Sequence, residues 1–409
     1  MNRLTARVVP SLSTLPDGQR CEGPEAGISM AEGAAHHAGS CCPRWPLQVM
    51  RRVAWGLLLG PSVALSWVGC TRSARAALQR WHAPFFITCF CCAGNLLLFP
   101  LYYLGQLVGV EKRQSPTASF RQCSAFLGEE GVNLRAMLRT GAPFSVLWSL
   151  SCYLYLLALR RISASDASAI LCCSRAFTFL LSWIGLRDTF MGVRIVGTIL
   201  SVTGIVMMAY ADGFHGDSIT GVALAVGSAC ASALFKVLLR RRVGEEQPGG
   251  ASVLLSCVGL CGACLQSWLC GLLYLMGVED WPATQDAAWG ELCLASLLSL
   301  SFTAAVTLGR SLSHPALIAL GILMSIPAST AADFYLSASP QLSQVRLAAA
   351  STIGVGYLLL LFPENWDESA LRWLGGLWQG RWREDTGEEV DPGTVSHAKA
   401  KPAGVAAPL

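Results

Sequence analysis

Long apolar runs separated by short polar segments occupy the chain from Val53 to Phe362. Runs such as Ala83–Leu104 and Ser252–Met276 contain no Asp, Glu, Lys or Arg. A bilayer core about 30 Å thick requires about 20 such residues in a helix. Only helices and closed barrels satisfy every backbone group in lipid, and these runs lack the alternation of a barrel strand. The pattern therefore predicts an all-α polytopic membrane protein.

About ten spans are predicted, and an even number places both termini on one side of the membrane. They are Val53–Cys70, Ala83–Leu104, Ala142–Leu159, Ser168–Leu186, Val193–Tyr210, Ile219–Leu239, Ser252–Met276, Trp289–Leu308, Pro315–Leu336 and Leu347–Phe362. Because cytosolic loops carry an excess of Lys and Arg, the distribution of these residues favours cytosolic termini. The first loop on the opposite side conflicts with this rule, since it holds Arg72, Arg75 and Arg80.

Two segments suggest an internal duplication. Asp188–Asp212 aligns without gaps with Pro340–Glu364, so that Gly204 meets Gly356. Each half then holds about five spans, an odd number, and the halves must insert with opposite orientations, as the inverted repeats of secondary transporters do. Chance similarity between two spans rich in Gly, Val, Ile and Leu is the alternative.

The resulting domain prediction has four parts. They are a disordered cytosolic N-terminus at 1–50, a first five-helix repeat at 51–214, a second at 215–366, and an interfacial helix with a disordered cytosolic tail at 367–409. The tail prediction rests on Leu371, Leu374 and Trp378, which fall on one helical face.

Composition supports the membrane assignment and narrows the function. Of 409 residues, 53% are hydrophobic and 14% charged, against about 25% charged in soluble domains. The net charge of +4 is spread between the apolar runs, which argues against nucleic acid as a partner. Most of the 17 Cys lie inside apolar runs with no pair of His residues nearby, so no metal site is predicted. No enzyme signature is present, and neither catalytic residues nor cofactors are expected.

Ionisable residues inside a span usually face a cavity or a partner. Arg175 lies seven residues into its span, and we weigh a substrate or gating role against a structural anchor. Asp333 lies near the end of the ninth span in the same half of the membrane, so a gating pair with Arg175 is expected. The alternative is that Asp333 only caps a helix end in water.

Further candidates could line a cavity near these charges. Pro327 lies in the middle of its span, removes one backbone hydrogen bond and is flanked by Ser325 and Ser329, so a helix break is expected there. In the repeat alignment, Arg175 and Pro327 fall within a few residues of each other. The remaining candidate hydrogen-bonding or stacking residues are Asn95, Ser149, Tyr153, Tyr155 and Ser174, for which helix packing is the alternative. Lys236 is expected to snorkel to the cytosolic interface.

Several segments resemble one family. They are Ser165–His215 (SDASAILCCSRAFTFLLSWIGLRDTFMGVRIVGTILSVTGIVMMAYADGFH), Leu98–Gln106 (LFPLYYLGQ), Gly321–Ser329 (GILMSIPAS) and Leu358–Asp367 (LLLLFPENWD). Together they resemble solute carrier family 35, subfamily F, of the drug/metabolite transporter superfamily. The resemblance implies ten spans in two inverted five-helix repeats, EamA-like transport by alternating access, and thiamine or a similar small organic cation as substrate.

Departures from the family weaken the substrate expectation. The family has Asn-Lys where this chain has Ser174–Arg175, and most amides of its Asn-rich spans are absent from Cys91–Asn95 and Pro327–Asp333. Thiamine is a cation, which an unpaired Arg175 would repel. If Arg175 pairs with Asp333 the repulsion weakens, and if it does not, a phosphorylated metabolite or nucleotide sugar fits better.

Three functional hypotheses follow. The first is a secondary-type carrier of thiamine or a similar cation, the second a nucleotide-sugar or organic-anion transporter, and the third a transport-inactive membrane protein that acts through partners. The expected partners are a small-molecule solute and the lipid bilayer, with no nucleic acid, and a homodimer is left open. Plasma membrane and Golgi-type membranes are both compatible with the span lengths.

Overall fold

The helices follow the order of the apolar runs. The computed structural model describes residues 44–109, 115–124, 134–186, 192–211, 216–244, 248–279, 289–336 and 343–362. Its helices are α1 Arg44–Arg80, α2 Pro84–Gly94, α3 Leu98–Gly109, α4 Pro116–Cys123, α5 Leu134–Leu159, α6 Ala164–Cys172, α7 Ser174–Leu186, α8 Gly192–Ala211, α9 Gly216–Val243, α10 Pro248–Leu275, α11 Trp289–Leu312, α12 Pro315–Leu336 and α13 Gln344–Leu359. The described residues contain no strand, in agreement with the predicted all-α class.

Nine helical segments in the described ranges are long and apolar enough to cross a bilayer. The tenth predicted span corresponds to α13, which has 16 residues. The first span is longer than predicted, because α1 continues to Arg80. Large apolar side chains such as Leu57 and Ile184 are exposed on these helices, as expected of surfaces that face lipid.

The structure describes only part of the predicted N- and C-terminal tails. Residues 44–50, assigned to the disordered N-terminus, belong to α1. The rest of that segment, and the whole of 367–409 with its predicted interfacial helix, lie outside the described residues.

Two spans are interrupted, and neither interruption is the predicted one. A 3₁₀ turn, Asn95–Leu97, separates α2 from α3, and a turn at Cys173 separates α6 from α7. The backbone of α10 approaches the first break closely, because a Cβ on Gly259 would lie 2.5 Å from the Leu96 nitrogen. The helix break expected at Pro327 is wrong, since α12 is continuous through that residue.

The two helices that end the aligned segments, α8 and α13, pack against each other along their lengths. A Cβ on Gly204 would lie 3.1 Å from the Ala349 oxygen, and one on Gly356 would lie 2.7 Å from the Gly197 oxygen. In the duplication register Gly204 corresponds to Gly356, and Gly197 corresponds to Ala349. The two contacts are therefore reciprocal, as they are at an interface with two-fold symmetry.

Ion pairs gather at one end of the bundle, which we call the far end and define as the end where α1 reaches Arg80. The pairs among the described residues are Arg72–Asp333 at 2.7 Å, Arg80–Glu291 at 3.4 Å, Arg161–Asp217 at 2.9 Å and Arg346–Asp166 at 3.8 Å. Each pair joins the predicted first half, 51–214, to the second, 215–366. The opposite end is called the near end, and it is the side assigned to the cytosol in the predicted orientation.

Candidate functional site

The break at Cys173 sets the position of Arg175. The Cys173 nitrogen donates to the Ile170 oxygen at 3.0 Å, which tightens the chain before α7 begins at Ser174. Arg175 then lies about half-way along the span Ala164–Gly185, deeper than predicted, because the span begins before Ser168. A charged side chain at this depth requires a partner or a water-filled space.

Arg175 lies against an aromatic ring. Its Cζ atom is 5.2 Å from the ring centroid of Tyr357, within the range of a cation–π interaction. The Tyr357 hydroxyl donates to the Ala319 oxygen at 3.1 Å, so the ring is fixed between α13 and α12. The Arg175 Nη1 atom is buried and has no hydrogen-bond partner. Part of the guanidinium is thus left available for an acceptor.

Lys236 brings a second positive charge to Arg175. Its Nζ atom donates to the Ser174 hydroxyl at 2.9 Å, which directs the ammonium of α9 towards the start of α7. The charges of Arg175 and of Arg310, in the last turn of α11, both act on this ammonium. The Lys236 side chain is nevertheless exposed, so open space adjoins it. The prediction that it snorkels to the near-end interface is wrong.

We call Arg175, Lys236 and Arg310 the basic cluster. None of the carboxylates in the described ranges forms an ion pair with Arg175 or Lys236. Like charges that lie close together repel each other, and more strongly where water is excluded. Arg175 and Lys236 therefore form an arrangement that an anion would stabilise.

Asp333 does not pair with Arg175, which corrects the predicted charged gate. Its Oδ1 atom accepts from Arg72 at 2.7 Å, and its Oδ2 atom accepts from the Ser165 nitrogen at 2.9 Å. One carboxylate thereby joins α12 to α1 and to the first turn of α6. The alternative of a helix cap in water is also incorrect, since only 19% of the Asp333 side chain is exposed.

The α12 candidates separate into two groups. The Ser325 hydroxyl donates to the Ile322 oxygen at 2.6 Å and lies near Cys172, next to the α6–α7 break. Ser329 is 3% exposed, and its hydroxyl has no hydrogen-bond partner. Pro327 instead lines an apolar groove of about 670 Å³ against α13.

The remaining candidates have other neighbours. Asn95 is 1% exposed, with neither side-chain amide atom hydrogen-bonded, and its backbone oxygen accepts from Ser256 on α10 at 3.4 Å. The Tyr153 ring contacts that of Phe85, at the start of α2, with 5.8 Å between centroids. Of the predicted residues, the structure thus brings Ser174, Arg175 and Ser325 together around the α6–α7 break.

The sequence analysis missed Trp67 and Phe302, which form an aromatic group with the candidate Tyr155 inside the bundle. The Trp67 ring lies 5.4 Å from that of Tyr155 and 4.9 Å from that of Phe302, between ring centroids. Ser168 accepts from the Trp67 indole at 3.2 Å and lies 3.3 Å from the Tyr155 hydroxyl. We call Trp67, Tyr155 and Phe302 the aromatic group. An aromatic residue alone in an apolar run gives no sign of its inward face, so only the fold reveals this group.

Comparison with known proteins gives consistent matches. Residues 54–210 match the EamA-like transporter family, and this range lies inside the predicted first half. The chain is 46% identical over 338 residues to human solute carrier family 35 member F4, a match that covers 83% of this chain and 65% of that protein.

Two mouse proteins give further matches. Mouse solute carrier family 35 member F4 is 46% identical over 340 residues, which cover 83% of this chain and 70% of that protein. Mouse member F3 is 40% identical over 377 residues, which cover 92% and 88%. These identities and coverages confirm the resemblance found in the central segments. The chain therefore belongs to solute carrier family 35, subfamily F, and is a multi-pass membrane protein.

Proposed function

We propose that this protein is a secondary-type transporter of an organic anion, and that it works by alternating access rather than by catalysis. The observation that carries the proposal is the basic cluster. Lys236 donates to Ser174, the residue before Arg175, and no carboxylate from the described residues forms an ion pair with either cation. A phosphate or carboxylate group on the solute would supply the missing negative charge.

The chemistry of the cluster favours phosphate. Guanidinium offers several donors in a plane and ammonium offers a compact charge, and phosphate oxygens accept from both. The buried Nη1 atom of Arg175 has no protein acceptor, and a bound oxygen would satisfy it. Thiamine and other small cations fit less well, because Arg175 has no carboxylate partner among the described residues and would repel a cationic solute.

Alternating access is supported by the distribution of ion pairs. The four pairs at the far end each connect the two predicted halves, whereas Lys236, in the half of α9 that ends at the near end, is exposed. Such an arrangement suits a conformation closed at the far end. Transport would require the far-end pairs to separate once the solute has neutralised the cluster.

A second candidate, transport of thiamine or a similar small organic cation, has its own supporting observation. The aromatic group presents three rings near the middle of the bundle, and aromatic faces attract ring cations. The repeat arrangement belongs to the same proposal: the reciprocal α8–α13 contacts support halves related by two-fold pseudosymmetry. Cytosolic termini would place the basic cluster on the cytosolic side of the far-end closure.

The deciding experiment compares thiamine with thiamine diphosphate in proteoliposomes. The two solutes share the same rings, but only the second carries phosphates, so the comparison isolates the basic cluster. Binding by purified protein is measured first, followed by uptake of each labelled solute. A nucleotide sugar serves as an unrelated phosphorylated solute.

The variants Arg175→Gln and Lys236→Gln test the assignment of the site. Losing a charged hydrogen bond costs about 2 kcal/mol, which lowers affinity about 30-fold. The control is Arg121→Gln, which removes an exposed cation on α4, outside the spans. We expect phosphorylated solutes to bind wild type and the control, but to bind both cluster variants weakly.

Other outcomes would change the assignment. Uptake of thiamine alone, unaffected by the cluster variants, would support the aromatic group and refute the anion proposal. No binding or uptake of any tested solute by folded protein would favour the third hypothesis, a membrane protein that acts through partners.

A further inference from the structure

Two thiols from different helices meet near the far end. The Sγ atoms of Cys89 on α2 and Cys270 on α10 are 3.3 Å apart, and both cysteines are unbridged. A disulfide bond is about 2.0 Å long, so the two sulfur atoms would have to approach each other by little more than 1 Å. The two residues are 181 positions apart, so the contact depends on the fold.

The helices that carry these thiols are held in register by polar contacts on both sides. Gln266, one turn before Cys270, accepts from the Cys89 thiol at 3.5 Å and from the Ser149 hydroxyl of α5 at 2.8 Å. Beyond α10, Glu279 accepts from the backbone nitrogens of Phe85 and Phe86 at 2.7 and 3.3 Å, which caps the start of α2. The sulfur atoms therefore face each other in a fixed frame.

We propose that Cys89 and Cys270 form a redox-active pair whose oxidation to a disulfide fixes α2 against α10. The oxidant is a small diffusible disulfide, RSSR. The Cys89 sulfur attacks one sulfur of RSSR, which breaks the S–S bond and releases RSH with the proton of the Cys89 thiol. The Cys270 sulfur then attacks the mixed disulfide and releases the second RSH. Two thiols lose two electrons, and RSSR gains them.

Access and location favour this pair over the other thiols. Cys89 is half-buried and lies five residues into α2, about 8 Å from its start at the far end. Cys270 is 4% exposed, so Cys89 reacts with RSSR first and Cys270 then resolves the mixed disulfide. The predicted orientation places the far end on the non-cytosolic side of the membrane. Disulfides form and persist on that side.

The bond would also have a mechanical consequence. It would join the predicted first half to the second, alongside the far-end ion pairs. Its formation depends on the geometry of the two thiols and not on the identity of the solute, so it can be tested whether or not the transport proposal holds.

The test uses intact protein in membranes and 2,2′-dithiodipyridine, a permeant aromatic disulfide, as the oxidant. After free thiols are blocked, peptides are analysed by mass spectrometry without reduction, and oxidant-sensitive thiols are counted with PEG-maleimide after reduction. The variants are Cys89→Ser and Cys270→Ser. The matched control is Cys261→Ser, which removes a buried thiol of α10 that lies against Gly141 of α5 and has no sulfur atom of another helix beside it among the described residues.

We expect a linked peptide pair containing Cys89 and Cys270 in wild type and in the control, and a higher melting temperature after oxidation in both. Neither change should occur in Cys89→Ser or Cys270→Ser. A mixed disulfide that persists on Cys89 in wild type, or linkage of either thiol to a different cysteine, would overturn the proposal.

Discussion

The carboxylate of Asp333 joins three helices at the far end, and its removal tests how that end is held closed. Its two oxygens accept from Arg72 on α1 and from the Ser165 nitrogen on α6. The side chains of Arg72 and Asp333 are 27% and 19% exposed. Substitution Asp333→Asn keeps the size of the side chain but removes its charge, and leaves the Arg72 guanidinium without its partner.

The expected magnitude follows from this partial burial. Exposed ion pairs contribute about 0.2–1 kcal/mol to stability, whereas breaking a fully buried pair costs about 3–5 kcal/mol. A pair that is one-fifth to one-quarter exposed lies between these limits. We therefore expect a coupling energy of ~1.5–2 kcal/mol between Arg72 and Asp333.

A double-mutant cycle measures this coupling. The free energy of unfolding is determined in detergent for wild type, Arg72→Gln, Asp333→Asn and the double variant. The control cycle uses Arg161→Gln and Asp217→Asn, a pair at the same end with a similar distance of 2.9 Å but with side chains that are 42% and 91% exposed. Since exposure weakens such pairs, the control coupling should be about 0.3 kcal/mol.

Equal coupling energies in the two cycles would refute the reasoning, because burial and not distance is assumed to set the magnitude. A coupling below ~0.5 kcal/mol for Arg72 and Asp333 would likewise show that this pair contributes no more than an exposed one. In either case the far-end pairs could not be treated as the closure of the bundle.

Two further predictions concern packing and pH. Gly356→Ala should lower the melting temperature, because its Cβ would lie 2.6 Å from the Ser201 hydroxyl oxygen and 2.7 Å from the Gly197 oxygen. The control Gly354→Ala, whose Cβ would have its nearest neighbour 3.8 Å away, should leave the melting temperature unchanged or raise it. Equal losses of melting temperature in the two variants would argue against close α8–α13 contact. Burial raises the pKa of Glu279 above its usual 4.5, partly offset by the bonds from the Phe85 and Phe86 nitrogens. The folded state then retains its proton to higher pH than the unfolded chain, so stability should fall as pH rises above about 4.5. Thermal scans should show a weaker decline in Glu279→Gln, and an unchanged pH profile would contradict this assignment.

The location of the helices could be predicted from the sequence, because an apolar run long enough to cross a bilayer has few alternatives in lipid. The residues that contact each other across the bundle could not be predicted from the sequence. A pair with Arg175 was expected for Asp333, and its actual partner Arg72 was assigned to a loop because the first span was ended at Cys70. In the structure α1 continues to Arg80, so Arg72 becomes a helical residue facing α12.

That extension also accounts for the conflict in charge bias. Arg72 and Arg80 were counted as loop residues on the wrong side for cytosolic termini. Both are paired, with Asp333 and Glu291 respectively. The positive-inside rule concerns cationic loop segments, and these two residues belong to a helix and have carboxylate partners. Their presence at the far end therefore weighs little against the predicted orientation.

Lys236 was misjudged for a similar reason. A lysine a few residues from the end of a span usually extends to the interface, and its sequence neighbours gave no contrary signal. Its contact with Ser174 crosses from α9 to α7 and places it beside Arg175. A basic cluster assembled from three helices is a property of the fold, because no short motif brings these residues together.

Arg175 and Pro327, which the sequence analysis placed within a few residues of each other in the repeat alignment, correspond directly in the duplication register. The register that pairs Gly204 with Gly356 also pairs Arg175 with Pro327, without any gap. At the first position the helix is interrupted and carries a charge towards Tyr357, whereas at the second the helix is continuous and its proline faces an apolar groove. If the proposed pseudosymmetry holds, the halves share their packing but not their chemistry. The charge of Arg175 has no counterpart at the corresponding position of the second half, so the substitution Pro327→Ala should leave anion binding unchanged, while Arg175→Gln should abolish most of it.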